Sequence, residues 1–136
     1  MNLKQFALVS SYAISLNAFA LDCNNPPGGI GPEAAQSNLR CAEQERAAAD
    51  HALNDAYKKL LANLKNDPER QRLSKTQIVA AQRAWVVFRD AECEFRTSLS
   101  GSAPQWVPVN HAQCLTELTT ARVKVLEEYF DEAQSQ

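Results

Sequence analysis

Residues 78–95 read Ile78-Val79-Ala80-Ala81-Gln82-Arg83-Ala84-Trp85-Val86-Val87-Phe88-Arg89-Asp90-Ala91-Glu92-Cys93-Glu94-Phe95, and this run decides the fold. Ile78, Ala81, Trp85, Phe88 and Phe95 recur at the three-, four- and seven-residue steps that line one face of an α-helix, with no two-residue alternation of a strand. Between Pro68 and Gly101 the chain has neither proline nor glycine. The pattern predicts a helix from Pro68 to about Ser98, with Asp67 as its N-cap and Pro68 in its first position. Upstream, a loop from Asn24 to Gly31 leads into a second pattern, Leu39, Ala42, Ala49, Leu53, Ala56, Leu60 and Leu64, which predicts a helix over about 33–65. Downstream, a polar loop from Ser98 to Pro108 precedes a third pattern, Leu115, Leu118, Val125, Leu126 and Tyr129, which predicts a helix over about 109–132. Three apolar stripes on three consecutive helices are buried most simply in an all-α, antiparallel three-helix bundle. Only four glycines in 136 residues argue against a turn-rich β domain.

Met1 to Ala20 reads as a secretory signal: Lys4 supplies the positive start, Phe6 to Leu16 the apolar stretch, and Ala18-Phe19-Ala20 the cleavage site. The apolar stretch is too short, and too interrupted by serines, to span a membrane. Ala20-Leu21-Asp22 ahead of Cys23 does not resemble a lipobox. The expected mature part is a single domain, 21–136, placed in the periplasm or secreted. Its balance of 13 basic and 16 acidic side chains, −3, disfavours nucleic acid as a partner. Export gives meaning to the even set Cys23, Cys41, Cys93 and Cys114, because oxidising compartments convert such sets to disulfides. A zinc site is disfavoured, since there is no C-x-x-C pair and His51 and His111 stand alone. In a helical hairpin turning at Asn66-Asp67, Cys41 and Cys93 lie at nearly the same height, and Cys114 returns to that end. All three connectivities are geometrically open; the sequential pairs Cys23–Cys41 and Cys93–Cys114 are the expected ones, stapling the arm and the long loop to the helices.

No catalytic constellation emerges. The chain has no G-x-S-x-G, no H-E-x-x-H, no phosphate loop and no dinucleotide fingerprint, and no cofactor or metal is expected. Asp90 and Glu92, two residues apart on a helix, point about 200° away from each other and cannot flank one bond. Glu92 instead has Arg89 and Arg96 within pairing distance along the helix. Charged groups beside the apolar stripes are more informative. Asp50, Gln82, Arg89 and Arg122 are expected to form a partly buried polar network between helices, because unpaired buried charge costs several kcal/mol.

Three strings carry a family likeness. They are Asp50-x-x-Leu53-Asn54-x-x-Tyr57; Ala81-Gln82-Arg83-Ala84-Trp85-x-x-Phe88-Arg89-Asp90-Ala91-Glu92-Cys93; and Cys114-Leu115-x-x-Leu118-Thr119-x-x-Arg122-x-x-x-Leu126. Together they resemble the LprI-type lysozyme-inhibitor family of small exported helical proteins, from about Cys23 to Leu126. The run Gln-x-x-Trp-x-x-x-Arg-x-x-x-Cys is its most specific part. The resemblance implies a non-enzyme whose partner is a protein, a lysozyme that cleaves peptidoglycan. An envelope adaptor, chaperone or immunity protein is the alternative. Blocking a glycosidase cleft calls for a braced, protruding loop with donors and an aromatic anchor. On that criterion Ser100, Gly101, Ser102 and Trp106 are the candidate partner-binding residues, with a Cys93–Cys114 bridge fixing the base of their loop.

Overall fold

The computed structural model describes residues 21–70, 72 and 74–135; the expected leader, Met1 to Ala20, lies outside them. Among the described residues there are three long helices, α1 (Pro32–Asn63), α2 (Ser74–Leu99) and α3 (Val107–Gln134), and one 3-10 turn (Pro104–Trp106). The sole strand-like feature among them is an isolated bridge between Asp67 and Arg72. Pro32 opens α1 where its missing N–H is not needed, and Glu33 adds a favourable negative charge in the first turn. α1 stops at Asn63, with Leu64 turning extended and sending its N–H back to Leu60.

Two boundaries differ from the sequence expectation. α2 starts at Ser74, six residues after Pro68. Asp67 does not cap it: Asp67 and Arg72 exchange backbone hydrogen bonds of 2.7 and 2.8 Å, and the Asp67 carboxylate accepts the Arg70 N–H. That closed turn competes with helix over 67–72. The capping role passes to Asn66, whose Oδ1 accepts the Thr76 N–H at 3.3 Å while its Nδ2 donates to the Thr76 hydroxyl at 2.9 Å. The second difference is the loop expected from Ser98 to Pro108. Only 100–103 lie outside helical structure, because Pro104 and Pro108 sit in the first turns of the 3-10 element and of α3, where proline is tolerated.

α3 runs parallel to α1 and shares with it the largest interface; α2 runs antiparallel and lies against α3 over a shorter one. Two apolar centres follow from this. One gathers Leu53, Leu60, Ile78 and Leu126 with Tyr57, Trp85 and Phe130 around it; the other gathers Ala42, Val109 and Ala112 under Leu39 and Trp106. Leu60 and Leu126 are fully buried, each contributing roughly 1.5–3 kcal/mol by transfer from water. The disulfides are Cys23–Cys41 and Cys93–Cys114, the sequential pairs. The first ties the N-terminal arm to α1; the second joins the end of α2 to the start of α3, on either side of the short turn.

Phe88 and Phe95 depart from the expected stripe of α2, for both are exposed. The seam that α2 turns to the other helices is Ile78, Gln82, Trp85, Arg89 and Cys93, each buried or half-buried. At 100° per residue, Phe88 and Phe95 stand roughly 100–120° round the helix from its centre. On α3, Tyr129 is likewise exposed.

The Cys93–Cys114 bridge closes a loop of 21 residues, for which chain entropy gives about 3 kcal/mol. Replacing both cysteines by alanine is expected to lower the thermal midpoint by more than about 10 °C, measured by circular dichroism; an unchanged midpoint contradicts this.

Candidate functional site

The polar seam of α2 is occupied in full. Arg89 Nη1 donates to Asp50 Oδ1 on α1 at 3.0 Å and to the Thr119 hydroxyl on α3 at 3.1 Å, while Nε and Nη2 hold Asp90. The Arg89 side chain is 14% exposed. Asp50 gives its other oxygen to Arg46 at 2.9 Å. Arg46, held chiefly by its hydrogen bond to Glu43, has its pKa raised above the usual arginine value. Two turns towards the start of α2, Arg122 Nε donates to Gln82 Oε1 at 3.0 Å. The Trp85 ring lies between the two guanidiniums, 5.4 Å from Arg89 and 5.7 Å from Arg122. Asp50 and Arg89 thus meet directly, Gln82 and Arg122 meet directly, and Trp85 links the pairs. Among the described residues no buried side-chain polar atom lacks a partner. A network so satisfied offers no free group for proton transfer; its chemistry is bracing.

The remaining carboxylates of α2 are similarly engaged. Asp90 is held by Arg89, and Glu92 accepts from Arg96 at 2.8 Å, which raises the Arg96 pKa above its usual value. Among the described residues no three His, Cys, Asp or Glu side chains gather in metal-binding geometry.

At the other end of α2 the chain opens a cleft of about 540 Å³ between the α2 terminus and the first turn of α3. Ser100, Gly101 and Ser102 form its rim, facing Val107, Pro108 and His111. The Cys93–Cys114 bridge joins the two helices about one turn from the lining residues Thr97 and His111. Gly101 adopts φ +59°, the left-handed conformation that glycine takes without cost, and a Cβ there would meet no atom within 4 Å. The hydroxyls expected as donors divide by role. Ser98 donates to the Phe95 carbonyl and Ser100 to the Thr97 carbonyl, satisfying the last carbonyls of α2. Ser102 accepts from Asn110 Nδ2 at 2.6 Å and, among the described residues, donates to no one.

Trp106 does not join that rim as a free anchor. Its indole N–H donates to the Ile30 carbonyl at 3.0 Å, beside a parallel bond from Gln105, and its ring packs on the Ala42, Val109 and Ala112 centre. It clasps the N-terminal arm to the bundle. Val107, Pro108 and His111 were missed from sequence. Their signal was the three- and four-residue spacing 107, 108, 111, which becomes readable once α3 is known to begin at Val107 and not two residues later.

Against known proteins, the sequence profile of the family described as Lysozyme inhibitor LprI matches residues 30–126. An uncharacterised protein of Rhizobium meliloti (strain 1021) is 30% identical over 129 residues, covering 85% of this chain and 92% of the relative. No solved structure matches. No helix among the described residues is long and apolar enough to cross a membrane.

Thr119 is fully buried and its hydroxyl serves Arg89. Thr119→Val keeps the shape and deletes that acceptor, so it is expected to cost about 1–3 kcal/mol in urea unfolding; a change below about 0.5 kcal/mol is the contrary result.

Proposed function

The chain belongs to the lysozyme-inhibitor LprI family, and we propose that it binds and blocks a lysozyme or similar peptidoglycan-cleaving glycosidase without turnover of its own. What carries the reading is that membership together with the disulfide-braced turn at the α2–α3 end. A glycosidase cleft is a groove around two carboxylates, and an inhibitor must reach them with a preorganised projection. Ser100, Gly101 and Ser102 sit at the tip of the braced end, and four residues of connection leave little conformational freedom to lose on binding. Gly101 lets a partner approach the backbone closely. The Ser102 hydroxyl keeps its proton for an acceptor, and His111 supplies a second polar group from the facing helix. The expected charge of −3 favours encounter with cationic lysozymes. Export to the periplasm or beyond is part of the proposal; two disulfides and the leader-like start support it.

The test is lysozyme-driven clearing of a peptidoglycan suspension. Oxidised mature protein slows it, reductant removes the effect, and Gly101→Trp, which blocks close approach at the rim, weakens it at least about tenfold, or 1.4 kcal/mol of binding, with helical circular dichroism unchanged. No slowing at large molar excess, against lysozymes of several types, overturns the reading.

A further inference from the structure

Among the described residues, one face of α2 has no partner. Phe88 is 56% exposed, Phe95 58% and Leu99 69%. With Ala84 and Ala91, also exposed, they follow one another at steps of four, three, four and four residues, which is a single stripe along α2 roughly 22 Å long. No charged side chain falls on its midline, and Glu92 at its margin is already held by Arg96 at 2.8 Å. Isolated exposed apolar residues are ordinary, but a continuous stripe with two aromatic rings marks an interaction surface.

The order of residues along the stripe says what covers it. Reflected about a point between Ala91 and Glu92, Phe88 falls opposite Phe95, and Ala84 falls opposite Leu99. The stripe is thus its own complement when read in reverse, with a small residue meeting a large one at the ends and two aromatics meeting at the centre. Self-complementarity of this kind is what an isologous two-fold contact requires. Antiparallel packing also opposes the two helix dipoles, and Ala91 beside the axis permits close approach.

We propose that the Ala84–Leu99 face of α2 is the interface of a homodimer, two copies packing antiparallel about a two-fold axis between Ala91 and Glu92. At about 200 Å² per aromatic ring, the two half-exposed rings of each copy alone hide more than about 200 Å², and the whole contact falls at the small end of protein interfaces. The dimer meets the α2–α3 cleft only at its Ser98 edge, about 20° round α2 from Ala91, while Glu94 and Thr97, which also line it, stand about 100° and 160° from Phe95. The Leu99 ends of the two copies lie about 22 Å apart along the axis, so each dimer carries two outward turns.

Sedimentation of the oxidised chain from about 1 to about 300 µM tests this without any lysozyme. The expected result is a monomer–dimer equilibrium that Phe88→Glu with Phe95→Glu weakens at least about tenfold, helical content being unchanged. A second arm reads the register: a mixture of Ala84→Cys and Leu99→Cys proteins cross-links between chains faster than either alone. A monomer at every concentration, or a dimer indifferent to both glutamates, overturns the proposal. So does a chain monomeric throughout whose lysozyme binding is lost with the two glutamates, since that assigns the face to the enzyme.

Discussion

The guanidinium of Arg89 touches all three helices: it belongs to α2, reaches Asp50 on α1, and reaches Thr119 on α3. α2 packs chiefly on α3, and beside the apolar contact of Ile78 with Leu53, Leu60 and Leu126 Arg89 is the polar tie that reaches both other helices. A charged group used this way is unforgiving. Its desolvation is offset by its partners, and here Asp50, Thr119 and Asp90 together take four of its five N–H groups. Trp85 packs beside it, Gln82 and Arg122 repeat the device two turns along α2, and the Cys93–Cys114 bridge closes the strip covalently. The string Gln82-x-x-Trp85-x-x-x-Arg89-x-x-x-Cys93 is therefore one physical object, the seam by which the middle helix is attached.

Much of this was legible before any coordinates. The three helices follow from spacing; the helices bring all four sulfurs to one end and leave three connectivities open, and the sequential pairs, expected as staples for the arm and the loop, are the ones formed. Asp50 and Arg89 were readable as partners because charge beside an apolar stripe demands a counter-charge. What escaped was orientation. Hydrophobic periodicity marks Phe88 and Phe95 as lying on the same side as Trp85, yet it cannot say which neighbour that side meets. A helix attached by a polar strip buries a different arc from the one its aromatics define. The start of α2 escaped for another reason: Asp67 and Pro68 carry a good capping signal, and the backbone pairing of Asp67 with Arg72 outcompetes it.

The candidate site was half legible. Ser100, Gly101 and Ser102 do form a rim, but on a four-residue turn where a long loop was expected, and two neighbouring serines spend their hydroxyls on helix carbonyls. Trp106 looked like a recognition anchor because lone tryptophans in polar stretches often are; its indole N–H instead holds the N-terminal arm. The division of labour that results is simple. One face of α2 is the attachment seam, its C-terminal end is a rigid braced turn, and its outer face carries apolar surface that the fold itself does not use.

The seam is tested most directly by a double-mutant cycle across Asp50 and Arg89, each replaced singly and together by alanine, with stability read from urea unfolding. Coupling above about 1 kcal/mol is predicted, well beyond the few tenths measured for exposed pairs. Coupling indistinguishable from zero would mean that α2 is held by something else.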